Sequence, residues 1–362
     1  MKIKKIDTFK LNIPFEDFGL GTGMTPTKWD SLDFVLVRIE DELGNIGWGE
    51  AFSYFCANSV EAAINDLVVP LLLEQVVEDP IATNEWLQKK LSLFGRYGIT
   101  MFAISGVDIA VWDLFAKRQQ KSLAECIAQP LHRQLPAYAS LVRYGDAELA
   151  ANIAQRAVAS GFKHVKLHEI EYPEIETVYQ RVGPEIELMV DVNNNWSFEQ
   201  SQIMVDKIKA LGISWLEEPT FPPEDFEQMA KLRGQGVSIS AGENFCTAQQ
   251  FKHALGANSL DIVQPSVTKV GGISEFLKAL KLFQSPVRVM PHSPYFGPGY
   301  LATLQIMSTL CEPGVFEYLY VEPKDFIYEA IPLPINGLIT VPQGLGLGMD
   351  PDMDVIERYR KY

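Results

Sequence analysis

Over its first fifty residues the chain alternates apolar and polar positions with a period of two, the signature of half-buried strands. KIKKIDTFKLNI is one such run, and SLDFVLVRIEDELGNIGWGEAF reads as a hairpin turning around Gly44 and Asn45. Between them, residues 15–30 (FEDFGLGTGMTPTKWD) are rich in Gly and Thr and show no period. That composition predicts a mobile loop able to close over a substrate, bringing one cation, Lys28, and one aromatic ring, Trp29. From Ser59 to about Ala128 the spacing changes to i, i+3, i+4. VEAAINDLVVPLLLEQ, ATNEWLQKKLSLF and MFAISGVDIAVWDLFAKR are therefore predicted helices. Strands followed by helices, without alternation, make an α+β module of residues 1–128.

From about Leu135 the pattern alternates. Short apolar runs begin near Pro136, His164, Glu187, Ser214, Ser238, Asp261, Arg288 and Val315. Helical stretches such as AELAANIAQRAVAS and SFEQSQIMVDKIKAL lie between them. Eight strands in that rhythm predict an α/β chain whose residues 129–325 close into a parallel (β/α) barrel. No Pro/Gly/Ser-rich linker separates barrel from module, so the two are expected to pack closely. Residues 326–362, with PLPINGLITVPQGLGLGMDPD, hold no βα unit and are predicted to return to the first module.

Composition changes this picture only by exclusion. With 362 residues, 47% hydrophobic, the chain can bury a large core. A formal charge of −15 argues against a nucleic-acid partner, which calls for a basic face. Four scattered cysteines without a CxxC pair suit a reducing compartment. The start, MKIKKIDTFKLNIPF, lacks an apolar h-region, and no run of 18 apolar residues suggests a membrane span. A cytoplasmic protein acting on a small molecule is the expectation.

The candidate chemistry lies in MVDVN, WLEEP and SAGEN, three strand-like runs that each end on a carboxylate. Asp191, Glu217 and Glu243 are separated by 26 residues and 26 again, about one strand plus one helix. Neighbouring parallel strands lie roughly 4.8 Å apart, so these carboxylates are expected to converge. Each pair repels by roughly 4 kcal/mol at an effective dielectric near 20. Such a cluster needs a cation, and a ligand set of oxygen alone points to Mg²⁺. Other strand ends offer Lys166, His168, Asn193, Ser266, His292 and Glu317. Lys166 and His168 face the same way on one strand. His292 lies five strands later, across the mouth, so two bases would flank the metal. His132, His164 and His253 fall in a turn, at a strand start and on a helix, and read as structural.

These residues resemble the enolase superfamily in its mandelate racemase and muconate-lactonising branch. GWGEAF (47–52), SGVDIAVWDLFAK (105–117), MVDVNNNW (189–196), WLEEP (215–219), AGEN (241–244), QPSVTKVGG (264–272) and GLGLGMD (344–350) are similar to family signatures in order and spacing. The resemblance implies an N-terminal α+β capping domain on a (β/α)7β modified TIM barrel, with the tail completing the cap. It implies Mg²⁺-assisted removal of the proton α to a carboxylate through an enediolate, often in a homo-oligomer. Asp191, Glu217 and Glu243 match the metal ligands, and Lys166 the first lysine of a Lys-x-Lys motif. His168 replaces the second. His292 matches the histidine base, and Glu317 the acid that contacts the substrate carboxylate. The family's histidine is paired with an aspartate whose position is held here by Ser266, and Lys269 reads as structural.

Three readings follow. In a dehydratase of a hydroxy acid or sugar acid, His168 takes the α-proton and protonated His292 helps the β-hydroxyl leave. In a racemase or epimerase the two histidines exchange the proton on opposite faces, with a cycloisomerase as a variant. A non-catalytic binding protein on the same fold is the third. Specificity is expected from Lys28, Trp29 and the Phe52–Phe55 segment with Tyr54, whose rings favour a substrate less polar than a six-carbon diacid.

Overall fold

The computed structural model describes residues 1–19, 28–284 and 286–362. Of the expected loop at 15–30, residues 20–27 lie outside the described residues.

The alternating N-terminal pattern forms an antiparallel meander of β1 (Ile3–Glu16), β2 (Ser31–Asp41) and β3 (Ile46–Ala51). The hairpin turns where the sequence predicts. Asp41 closes it by accepting from the amides of Leu43 and Asn45, and Gly44 supplies the positive φ of +81°. Across this sheet lies the helix Ile99–Arg118, whose backbone approaches so closely that no side chain fits between. A Cβ on Gly49 would sit 1.9 Å from the Gly106 carbonyl oxygen, and one on Gly47 would sit 2.2 Å from that of Ala110. The GWG sequence is thus a helix seat. By length and apolar composition this helix could cross a membrane, but 83% of its most apolar window is buried inside the protein, as in a core helix.

One predicted helix is interrupted. Instead of a continuous helix over residues 60–75, α segments Ala57–Ala63 and Val69–Leu72 are joined by a π-helical turn at Ile64–Val68. Pro70 has no N–H to continue the α ladder, and the Val69 amide bonds five residues back to Ile64.

The barrel strands are β4 (Gln134–Ser140), β5 (His164–Leu167), β6 (Glu187–Asp191), β7 (Trp215–Glu217), β8 (Ser238–Ala241), β9 (Ile262–Val263), β10 (Arg288–Val289) and β11 (Phe316–Leu319). A helix follows each of the first seven, giving (β/α)7β. All pairings between these eight are parallel, in the order β10-β9-β8-β7-β6-β5-β4-β11, so the last strand lies beside the first and the sheet curls on itself. The β10–β11 seam is joined by single bonds: Val315 N donates to Met290 Sδ (3.2 Å) and Ser293 N to Glu317 Oε2 (2.9 Å). Tyr138, Met189, Trp215, Ile262 and Met290 fill the interior below the mouth. Caps fix several helix starts, including a reciprocal Ser197/Gln200 capping box directly after the Asp191–Trp196 stretch.

After β11 the chain runs back along both units. Glu322–Pro323 and Arg360–Lys361 pair with β1, and Leu338–Thr340 pairs antiparallel with β4. At the mouth, Phe52 N donates to the Thr268 carbonyl (3.2 Å) and Tyr54 Oη to the Pro294 carbonyl (2.6 Å). The end of β3 is thereby fastened over the C-terminal ends of the barrel strands.

Gly49→Ala is expected to destabilise the protein by about 3 kcal/mol, because overpacking against backbone cannot be relieved by a rotamer change. Chemical denaturation would read this as a lower midpoint; an unchanged midpoint means the helix can retreat from the sheet at no cost.

Candidate active site

Asp191 and Glu217 are the last residues of β6 and β7 and stand directly opposite each other in register. Glu243 is placed differently, although its sequence spacing is the same. β8 ends at Ala241, and Glu243 comes two residues later, after Gly242 has turned the chain with a φ of +130°. The staggered strands of a barrel require that extra reach. One carboxylate oxygen from each residue lies within 4.8 Å of the others, and all three residues are buried.

Lys166 is completely buried beside them. Its Nζ lies 2.9 Å from Glu317 Oε1, 3.1 Å from Glu217 Oε2 and 3.4 Å from Asp191 Oδ2. Burial alone would lower its pKa, but Glu217, Glu317 and Asp191 outweigh that and hold it well above the usual lysine value. Lys166 is therefore a fixed cation. Glu317 is fully engaged: Oε1 also accepts from Ser140 Oγ (2.8 Å) and Oε2 from Ser293 N.

Lys269, expected to be structural, stands at the site. Its Nζ lies 3.3 Å from Glu243 Oε1, 3.1 Å from Asn244 Oδ1 and 4.3 Å from the centre of the Phe52 ring. The signal that could have found it is its place in the loop after β9, level with the mouth.

The two histidines are held by different partners. His168 Nδ1 meets the Leu141 carbonyl, an acceptor, so Nδ1 carries a proton and donates it there. That Nε2 faces Asp191 Oδ2 at 3.3 Å. His292 Nε2 faces Glu243 Oε2 at 2.9 Å, while its Nδ1 meets Tyr295 Oη at 3.2 Å. His132, His164 and His253 bond to Leu310, Glu187 and Gln249, away from the site.

A cavity of about 190 Å³ opens above the triad. His168, Asn193, Glu243, Lys269, His292 and Glu317 form its polar floor, and Trp29, Phe52, Tyr54, Phe55, Pro294 and Leu319 its outer wall. Asn193 and Asn194 have φ of +43° and +58°, and Glu218 +44°, so the backbone is forced where the site is built. Two residues expected to touch substrate lie elsewhere. Lys28 is 65% exposed and pairs with Asp30 (3.3 Å), because Trp29, not Lys28, turns inward onto Phe15 and Tyr54. Ser266 is fully buried behind Tyr295 and does not line the cavity.

The donor set fits a hard divalent cation. All three candidate ligands are carboxylates, and Glu217 Oε1 is buried without a hydrogen-bond partner. Burial and then repulsion from Asp191 push the Glu217 carboxyl well above the carboxylate range. Around the floor, the carboxylates Asp191, Glu217, Glu243 and Glu317 face the ammonium groups of Lys166 and Lys269.

A capped barrel with buried acids and bases at its strand ends defines an enzyme that works on a small molecule. Residues 148–355 match the family described as enolase C-terminal domain-like. Residues 22–128 match the mandelate racemase / muconate lactonizing enzyme N-terminal domain. The chain belongs to the enolase superfamily, in its mandelate racemase and muconate-lactonizing branch. It is 29% identical to D-galactarolactone cycloisomerase of Agrobacterium fabrum, over 99% of both chains. It is also 29% identical to arabinonate dehydratase of Saccharolobus solfataricus, over 91% of each. The crystal structure of 3,6-anhydro-D-galactonate cycloisomerase from Zobellia galactanivorans superposes with a TM-score of 0.87, at 25% identity and full coverage of both chains. The protein is an enzyme of the lyase or isomerase type, which sets aside the non-catalytic reading. Members of the superfamily use Mg²⁺ and act on small carboxylates.

Mg²⁺ is expected to stabilise the protein against heat, by about 2.7 kcal/mol at a hundredfold excess over its Kd. Glu217→Gln removes one ligand charge and is expected to abolish most of that gain. Scanning calorimetry with and without magnesium checks both; an equal shift in the variant would place the ion elsewhere.

Proposed function

We propose that this enzyme is a Mg²⁺-dependent dehydratase of a hydroxy acid or sugar acid. The observation that carries this reading is the pair of cavity-lining imidazoles, held so differently, on either flank of the acidic triad. Bound by Asp191, Glu217 and Glu243, Mg²⁺ would supply Lewis-acid stabilisation of the charge that develops on the substrate carboxylate. Lys166 adds a permanent positive charge behind Asp191 and Glu217, in a site where low dielectric strengthens it. Glu317 fixes Lys166 through Oε1 and lies in the cavity floor.

His168 is the base. Its Nδ1 proton is tied to a backbone carbonyl, so Nε2, which faces the cavity beside Asp191, is the nitrogen that would take the α-proton once that carboxylate holds the cation. His292 is the acid. Its Nε2 proton passes to the β-hydroxyl as the carbon–oxygen bond breaks, the α-carbon electron pair forms the double bond, and water leaves. The resulting enol rearranges to a 2-keto acid. Asn193 and Tyr54 border the space for the rest of the substrate, and Trp29 packs behind Tyr54. Among the described residues the outer wall is largely apolar, which favours a short or cyclic substituent over an extended polyol.

Relatives named arabinonate dehydratase and D-galactonate dehydratase support elimination. A second reading, cycloisomerase, is supported by the full-length likeness to D-galactarolactone cycloisomerase. Both begin with the same proton removal.

Incubation in D₂O with a panel of aldonic, aldaric and lactone acids is expected to yield a 2-keto product. Deuterium gain without loss of water would mean racemisation, and ring opening or closure would mean cycloisomerisation. His168→Asn is expected to lower turnover by roughly 10²–10⁴-fold. Undiminished α-proton loss in that variant would remove His168 from the mechanism.

A further inference from the structure

The residue expected behind His292 is Ser266, yet no bond joins them. Tyr295, three residues after the histidine, stands between. Its Oη lies 3.2 Å from His292 Nδ1 and 2.6 Å from Ser266 Oγ, and Ser266 Oγ lies 3.4 Å from Thr268 Oγ1. The phenol meets the imidazole edge-on, with ring centroids 5.7 Å apart at 81°. Tyr295 is itself buried and packs on Tyr54, whose hydroxyl is tied to Pro294. The hydroxyl therefore has a fixed place.

We infer that Tyr295, backed by Ser266, is the positioning residue of His292, doing with neutral hydroxyls what the related enzymes do with an aspartate. The proton inventory is consistent. A hydroxyl both accepts and donates, so Tyr295 Oη can hold His292 Nδ1 whichever proton count the ring has. In the charged ring Nδ1–H donates to Tyr295 Oη, Tyr295 O–H donates to Ser266 Oγ, and the Ser266 hydroxyl turns toward Thr268. When Nε2 gives up its proton, Nδ1–H and the hydroxyl chain stay as they are. The ring keeps its aim through the transfer. A serine alone, one carbon long, could not reach it. Burial holds the Tyr295 phenol far above its ordinary pKa, so the oxygen remains a hydroxyl.

The catalytic consequence rests on the reading of His292 as proton donor, but the hydrogen bond itself can be observed without substrate. The chain has only five histidines, so ¹⁵N-labelled imidazoles can be assigned by single substitutions. In the full chain, with and without Mg²⁺, Tyr295→Phe is expected to shift the His292 Nδ1 resonance and leave His168 unmoved. With the acid that turns over in D₂O, the same variant is expected to lose kcat by roughly 10- to 100-fold with KM nearly constant. Ser266→Asp added to Tyr295→Phe is expected to recover part of that loss by restoring an acceptor. An unmoved Nδ1 resonance overturns the inference, as does a fall confined to KM. Should Tyr295→Phe not fold, Ser266→Ala carries the same readouts, and no change in either overturns it equally. Failure to find any acid that exchanges strikes the dehydratase reading alone, since the resonance decides the other.

Discussion

Mutual repulsion among buried carboxylates is the constraint around which this molecule is built. Asp191, Glu217, Glu243 and Glu317 are all withdrawn from water at one end of the barrel. In that setting each like-charged pair opposes folding by several kcal/mol at contact distance, an order set by an effective dielectric near 20. A chain tolerates this only if cations repay it. Lys166 does so for three of the four, which is why it is driven to stay protonated although it is completely buried. Lys269 does so for Glu243. The converging carboxylates of Asp191, Glu217 and Glu243, together with the unpartnered Glu217 oxygen, mark where a further cation fits.

The scaffold makes that arrangement rigid rather than merely possible. Parallel strands deliver Asp191 and Glu217 side by side in exact register, and the helices that follow are capped within a few residues. The sheet of the N-terminal module is anchored to its long helix through Gly47 and Gly49, and its next residues then bond to barrel loops at Thr268 and Pro294. Packing at the helix seat therefore bears on the shape of the outer cavity wall, since Phe52 and Tyr54 leave the same strand only a few residues later.

Much of this was legible in the sequence because it obeys a period. The eight strands, the three carboxylates, Lys166 and His168 follow from repeated strand ends, and the parallel barrel follows from alternation; the (β/α)7β order came from the family resemblance. What was not legible lies off the period. Glu243 matches its companions in spacing, yet reaches the cluster from a turn past its strand. Lys269 belongs to a loop, where side-chain direction depends on backbone angles that no periodicity encodes. Tyr295 reads as an ordinary aromatic after His-Ser-Pro; only the folded loop sets its hydroxyl between Ser266 and His292. Lys28 misled for the converse reason. Charge near a binding mouth is a weak guide when the neighbouring indole, with more surface to bury, takes the inward position.

The same distinction bears on how one acidic cluster can run both halves of a proton-transfer reaction. Two histidines bound to equivalent carboxylates would be interchangeable, and a site of that kind has no preferred direction. Here Asp191 and Glu243 are indeed alike, so the difference must come from the far side of each ring. Behind His168 stands a carbonyl, which only accepts and so pins one tautomer. Behind His292 stands a hydroxyl, which can accept or donate and so tolerates either. One ring is locked through Nδ1 with Nε2 toward the cavity, and the other can change its proton count without losing its position. Direction is thus written into the groups that face away from the substrate, while those that face it remain nearly symmetrical.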